Sequence, residues 1–426
     1  MQTEAPPAGW QPRRRILLSS FACSPLWGSE PGVGWQWLLQ LTRQHDVELL
    51  THAYFRTHLE PALAEAGLQD LRVHYFEAPA FGMHPHRQLN SRAYYTWWQW
   101  RVRGLVRQLL GKRHYDLVHH LTWGTLRFPC MLGGLGVPLV MGPLGGGEAA
   151  PLRLFAGLPL KVRAFDVLRS LTLTWVRIDP LATWGPRRAA LVLCKSADSL
   201  RALPLSVQAR ALVMPEIGSP PVGFRQRDDP QLVTATGSAR LLFAGRLLGW
   251  KGVDLVVGAM AQLRQQGADV VLDIAGDGPL RAHLERRIAA LGLQDCVRLL
   301  GAIPREQLMV LYSQAEVFVF PSLHDSSGNV VLESMSRGLP VVCLDLGGPQ
   351  HYINSSCGRV VSTQGRSRRQ VETALADTVA TLLADRTQLG EMSRQAMAHA
   401  QRQSWEAVVQ HAYEKIAQRL HWAAAA

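Results

Sequence analysis

Short apolar runs alternating with longer amphipathic segments constrain this chain more than any other feature. RILLSSF, HDVELLTH, YDLVHHL and VPLVMG occupy the first half, and ARLLFAG, ADVVLDIAG, CVRLLG, AEVFVFPS and LPVVCL the second. Each run stops at Gly, Pro or Ser, and a helical pattern follows. Strands that are apolar on both faces must be covered on both faces, so the pattern predicts parallel sheets flanked by helices. Two such series in 426 residues predict two α/β domains. The boundary is expected at about 219–238, where PPVGFRQRDDPQLVTATGSAR is Pro-rich, polar and weakly periodic. The expected layout is a disordered N-terminus over 1–12, a first domain over 13–222 and a second over 238–400. A C-terminal helix over 401–426 crosses back to the first domain. In that helix Val408, Ala412, Ile416 and Leu420 recur at one-turn spacing.

A formal charge of +12 favours anionic partners: nucleotides, phospholipid headgroups or nucleic acid. A solvated basic surface accounts for the same charge. No nucleic-acid recognition motif accompanies it, so no nucleic-acid partner is expected. The six cysteines show no C-x-x-C spacing and read as small buried hydrophobes rather than a disulfide framework or zinc site. No apolar run approaches the roughly 18 residues of a membrane span. RRRILLSSFACSP mimics a signal peptide, but its apolar run is short and reads better as a first buried strand, Ile16 to Ala22. The chain is expected in the cytoplasm.

Ligands of open parallel sheets bind where strands end and helices begin. The first such junction, FACSPLWGSEPGVGW, offers Gly28, Gly32 and Gly34 as a tight loop before a helix, with Glu30 as a cap or a substrate ligand. Its spacing is not that of a dinucleotide fingerprint. YDLVHHL ends on His119 and His120, which alternation sends to opposite faces, so one packs and one points to a ligand, or both pack. GPLGGGE lets backbone approach a ligand through Gly145 to Gly147 before Glu148, or is a plain turn.

The second half is sharper. FAGRLLGWKG puts Arg246 and Lys251 at a strand end beside a helix start, where two cations and the helix dipole would clamp a diphosphate. Solvated surface cations are the bland alternative. Gly276 and Gly278 in IAGDGP bring backbone close to whatever fills the same region. FPSLHDSSGNVVLESMSRGLPVV places Asp325 in a loop, Gly328 and Asn329 at a helix start, and Glu333 in that helix's first turn, eight positions after Asp325.

FAGRLLGWKG, IAGDGP, FPSLHDSSGNVVLESMSRGLPVV and LGGP, in this order over about 240–350, resemble the retaining glycosyltransferases of family 4, also called group 1. GSEPGVGW and GPLGGGE are similar to a branch of bacterial enzymes that build surface polysaccharides. The resemblance implies the GT-B fold, with two Rossmann-like domains whose parallel sheets face a central cleft. It implies Glu333 on the donor ribose, Arg246 and Lys251 on the diphosphate, and amides of Gly328, Asn329 and Val330 on sugar and phosphate. Gly32, Gly34, Gly276 and Gly278 complete the implied donor contacts. The family's first Glu is replaced here by Asp325, a shorter carboxylate beside the donor sugar. The family often reads D-x-x-H-x-H, whereas Leu121 stands where its second His would fall; His120 leads His119 as the catalytic candidate.

The implied reaction moves a sugar from a nucleotide-diphosphate-sugar to a glycan or polyprenyl-linked acceptor, with attack on the face the diphosphate leaves and no obligatory cofactor or divalent metal, since no D-x-D occurs. A GT-B nucleotide-sugar epimerase is the alternative with the same fold, and a basic nucleic-acid-binding protein the lesser alternative on charge alone. Residues 90–113 hold six Arg or Lys, no acid, and the aromatics Tyr94, Tyr95, Trp97, Trp98 and Trp100. They fit a peripheral contact with an anionic membrane at its inner face, or aromatics packed in the first domain. KVRAFDVLRSLTLTWVRIDP is a second, weaker such segment.

Overall fold

The computed structural model describes residues 13–79, 89, 91–222 and 237–422. The expected disordered N-terminus and most of the expected linker lie outside those residues. The chain divides into two compact units. The first comprises 1–147, 174–216 and 405–426, and the second 148–173 and 217–404.

In the first unit seven parallel strands form one sheet: β1 (Arg15–Ser20), β2 (Asp46–His52), β3 (Val73–Phe76), β4 (Leu117–Thr122), β5 (Leu139–Leu144), β6 (Leu191–Cys194) and β7 (Ala211–Val213). Their order is β3-β2-β1-β4-β5-β6-β7. The second unit has six: β8 (Ala239–Ala244), β9 (Val270–Ala275), β10 (Val297–Gly301), β11 (Val317–Phe320), β12 (Val341–Leu344) and β13 (Gly358–Val361), ordered β10-β9-β8-β11-β12-β13. Both sheets run outward from a central first strand and reverse once, the doubly wound arrangement. The short apolar runs form the strands, most of them inner ones; CVRLLG is the edge strand β10, where alternate residues are exposed. VFVF of β11 and VVCL of β12 are buried along their whole length, as covering on both faces requires. The RRRILLSSF run is β1, buried from Ile16 onward. All six cysteines are unbridged, and only Cys296 is not fully buried.

Residues 148–173 depart from the expected layout. They precede β6 in sequence, yet they cluster with the second unit. Arg153 donates to the carbonyls of Thr363 and Arg366, at 2.9 and 2.7 Å. Val162 sits so close under Gly249 that a Cβ there would lie 2.3 Å from its Cγ1. Asp166 and Phe165 reach His324 and Trp250. The C-terminal segment is also not one helix over 401–426. One helix ends at Arg402, and another spans Trp405–Arg419. This last helix belongs to the first unit, where it buries Val408, Val409, Ala412, Tyr413 and Ile416. Leu420 lies beyond its end and is only half-buried.

Candidate active site

In the first unit the strand ends are filled by the protein's own side chains. His119 and His120 do point to opposite faces of β4, but neither opens to solvent. His119 Nε2 donates to the Gly142 carbonyl and its Nδ1 accepts from the Tyr413 hydroxyl, both at 2.8 Å. Trp37 packs edge-on against the ring. His120 Nδ1 lies 3.3 Å from Ser19 Oγ, and its Nε2 3.1 Å from the Tyr95 hydroxyl. Burial drives the pKa of His119 down to about 4 and of His120 to about 3, so both rings stay neutral. Both nitrogens of each ring are engaged by protein groups, and neither ring has an exposed edge. His120, expected to lead as the catalytic group, is covered here by its partners on β1 and on the helix Arg92–Lys112.

Gly32 and Gly34 are also not loop residues. The helix starts at Glu30 and contains both. A Cβ on Gly34 would lie 2.5 Å from the Ala22 carbonyl, so this glycine lets the helix press on the β1 exit. Glu30 is the first helical residue rather than a cap, and it is half-buried. Its carboxylate accepts from Lys195 Nζ at 3.1 Å and from the Gly124 amide at 3.2 Å. Lys195 is buried and also pairs with Glu216 at 2.7 Å. Burial alone would lower the lysine's pKa, but Glu216 and Glu30 hold it above its usual value. Gly147 closes on Ser199, whose Oγ accepts its amide at 3.2 Å, so the GPLGGGE loop is a packed turn there.

The second unit presents a different picture at its own reversal point. β8 and β11 are neighbours there. The loop leaving β8 carries Arg246 and the turn Gly249–Lys251, and the loop leaving β11 carries Asp325. The two loops are joined by the Trp250 carbonyl, which accepts from the Leu323 amide at 2.7 Å and from Ser322 Oγ at 3.1 Å. Lys251 and Asp325 pair directly. Their side chains stay 21% and 18% exposed, so the pair is open to a ligand. Lys251 also lies 5.4 Å over the Phe320 ring. Arg246 is exposed on the same loop. Gly252 follows at φ 72, and a Cβ there would sit 1.9 Å from the Pro321 carbonyl; only glycine fits this approach.

Gly276 and Gly278 face the Arg246 loop itself rather than open space. A Cβ on Gly276 would lie 2.0 Å from the Gly245 carbonyl, and one on Gly278 2.8 Å from that of Leu247. Both therefore shape the loop that holds Arg246. The LGGP glycines do the same for Asp325. The Gly348 amide donates to the Asp325 carbonyl at 2.8 Å, and a Cβ on Gly347 would collide with that oxygen.

Gly328 caps the helix Asn329–Met335 from the left-handed region, with no side-chain cap on the helix. Asn329 and Val330 are half-buried in its first turn. Glu333 is the helix's fifth residue, just past the first turn in which it was expected. It pairs at 3.0 Å with Arg305, an exposed partner that no spacing in the sequence announces. Burial raises the Glu333 pKa, and Arg305 opposes the rise. Among the described residues no group of three His, Cys, Asp or Glu side chains is placed to hold a metal ion.

The basic-aromatic segment is largely absorbed into the first unit; its Asn90 lies outside the described residues. Tyr94, Tyr95 and Trp98 are buried, while Trp97 and Trp100 stay exposed. Arg103 donates to the carbonyls of Gly133 and Met131. In the helix Leu160–Val176, expected to be the weaker such segment, Leu160, Phe165, Val167, Leu168 and Leu171 are exposed. No helix among the described residues is long and apolar enough to cross a membrane.

Strand order and strand-end loops define the class: two Rossmann-like units of the GT-B fold. The sequence of the second unit adds a family likeness: residues 224–403 match the model for glycosyl transferases group 1. The chain is 35% identical over 145 residues to an alpha-D-kanosaminyltransferase of Streptomyces kanamyceticus, covering 34% of this chain and 36% of that protein. It is 30% identical over 174 residues to the amylovoran biosynthesis glycosyltransferase AmsK of Erwinia amylovora, covering 38% and 43%. The chain thus spans less than half the length of these curated relatives. The Anabaena protein HepE, solved with UDP and glucose, matches over 95% of this chain and all of its own, with a TM-score of 0.59 at 19% identity. That likeness is one of fold.

Proposed function

We propose that this protein is a retaining glycosyltransferase that moves a sugar from a nucleotide-diphosphate-sugar to a glycan or lipid-linked acceptor in bacterial surface polysaccharide biosynthesis. The observation that carries the reading is the half-open Lys251–Asp325 pair at the reversal point of the second sheet, beside the exposed Arg246. The AmsK and HepE likenesses support a polysaccharide role and a UDP-sugar donor, respectively.

The donor's diphosphate competes with Asp325 for Lys251. Its two charges outbid one carboxylate for the ammonium, and Arg246 adds a second cation. The released Asp325 then accepts hydrogen bonds from donor-sugar hydroxyls. Glu333 takes the ribose hydroxyls, which requires its pairing with Arg305 to loosen or to be shared. As the bond to the anomeric carbon breaks, negative charge grows on the leaving phosphate, and Lys251, Arg246 and the amides of Gly328, Asn329 and Val330 stabilise it. The acceptor hydroxyl attacks from the same face and passes its proton to the leaving phosphate oxygen. This route asks for charge stabilisation rather than a protein base, and so it suits a site whose histidines are buried elsewhere.

Membrane contact is assigned to the helix Leu160–Val176. Its exposed leucines are flanked by exposed Lys161 and Arg163, and its one acid, Asp166, is buried. Co-sedimentation with anionic but not zwitterionic vesicles is the expected behaviour.

The deciding experiment is a titration with UDP-, GDP- and ADP-sugars, followed by NMR of the product's anomeric coupling. One donor is expected to bind, Glu333→Ala is expected to weaken it strongly, and the new bond is expected to keep the donor's configuration. Inverted product overturns retention, a donor that binds and yields an epimerised sugar with no new glycosidic bond points to epimerisation, and no donor binding overturns the whole reading.

A further inference from the structure

Trp250 and His324 each stand directly before a charged residue of the candidate site, Lys251 and Asp325. Their rings belong to one stack. Trp250 lies 5.4 Å from His324 at 22°, Phe165 covers Trp250 at 6.2 Å and 24°, and Phe155 covers His324 at 6.3 Å and 27°. Phe155 and Phe165 both come from the 148–173 segment that joins this unit from earlier in the chain. The same segment supplies a polar tie to the stack: Asp166 Oδ1 lies 2.7 Å from His324 Nε2. The Asp166 and His324 side chains are 2% and 3% exposed, so water does not compete for this bond. Asp166 Oδ2 is buried without a hydrogen-bond partner.

We infer that Asp166 is a positioning residue of the candidate site: through His324 and the Trp250 ring it holds the Asp325 and Lys251 loops at the separation the donor requires. The inference rests on the reading of this site as a nucleotide-sugar site. The mechanics follow from chain continuity. His324 cannot rotate or slide without carrying Asp325, and Trp250 cannot without carrying Lys251. The stack ties the two rings together but permits sliding in the ring planes, as stacked rings do. A directional hydrogen bond from a fixed helix removes that freedom. Asp166 touches neither ligand nor reacting atom in this account.

The test measures donor affinity for wild type, Asp166→Ala, Asp166→Asn and Lys251→Met, and for Asp166→Ala combined with Lys251→Met. Asp166→Ala is expected to weaken donor binding by about tenfold or more. Asp166→Asn keeps an acceptor for the His324 N–H and is expected to stay within about twofold of wild type. In the Lys251→Met background the Asp166→Ala loss is expected to vanish, because residues acting through one another do not add. A merely structural Asp166 gives equal losses in both backgrounds and overturns the inference, as does unchanged affinity in folded Asp166→Ala or a full loss in Asp166→Asn. Should Asp166→Ala not fold, His324→Phe decides: it keeps the ring in the stack and removes the N–H, so it is expected to reproduce the tenfold loss, and wild-type affinity there overturns the inference. If wild type itself binds none of the nucleotide-sugars, the reading of the site falls and the positioning role falls with it.

Discussion

The two sheets share a strand order, but their strand ends are finished in opposite ways. In the first unit, polar groups near the reversal point are paired with each other and sealed. His119 is closed by Gly142 and Tyr413, His120 by Ser19 and Tyr95, and Lys195 by Glu30 and Glu216. In the second, glycines let neighbouring backbone close tightly on two loops, and the charged groups those loops carry remain partly in water. The same fold therefore makes a stiff platform in one unit and a charged, reorganisable site in the other. Strand ends mark where a site can be; only side-chain satisfaction marks where one is.

Four measurements break or sharpen this contrast, from the largest expected effect to the smallest. Lys251→Met removes a cation from the developing phosphate charge. Steady-state transfer is expected to fall about a thousandfold, while the thermal midpoint barely moves. His119→Phe should do the reverse. It leaves the Tyr413 hydroxyl and the Gly142 carbonyl without their partner, costing about 1–3 kcal/mol in denaturant unfolding, and leaves donor affinity unchanged. A large loss of donor binding in that variant would erase the distinction between the units.

The third measurement is pH. His45 and His52 are also buried in the first unit and, like His119, are held down to about 4, mainly by burial. His120 lies lower still. Because the unfolded chain binds these protons near pH 6.5 and the folded one does not, stability is complete above that pH and is lost as pH falls toward 4. Each unit of depression is worth about 1.4 kcal/mol. Amide exchange at pH 7 and pH 5 should show β1, β2 and β4 losing protection more than β8, β9 and β11. Equal loss in both sheets would contradict it. Smallest, Arg246→Ala is expected to weaken donor binding about tenfold and shift stability by less than about 0.5 kcal/mol, since the side chain is exposed.

The strands and the second unit's loops were legible because both signals are local. A buried parallel strand needs an uninterrupted apolar run, and Arg246, Lys251, Asp325 and Glu333 sit at fixed offsets from such runs. What was not legible is what covers each junction. His120 reads the same whether solvent or Tyr95 lies beyond it, and the residue sealing His119, Tyr413, is 294 positions away. Asp166 is 158 positions from His324, and nothing in KVRAFDVLRS announces that its one acid turns inward. Gly32, Gly34, Gly276 and Gly278 were visible as glycines, but whether a glycine faces a ligand or another backbone depends on the partner segment.

The chain passes between the two units four times, at 147/148, 173/174, 216/217 and 404/405. Neither unit is therefore a cassette. A chimaera joined between residues 223 and 236 would carry across a second sheet stripped of Phe155, Phe165 and Asp166, together with an amphipathic helix whose apolar face matches the donor of the graft rather than its recipient. Exchanging donor specificity with a relative requires moving 148–173 along with 217–404 and leaving Trp405–Arg419 behind. The same rule constrains how such a protein diversifies by recombination: a single crossover in this chain always separates residues that hold one unit together.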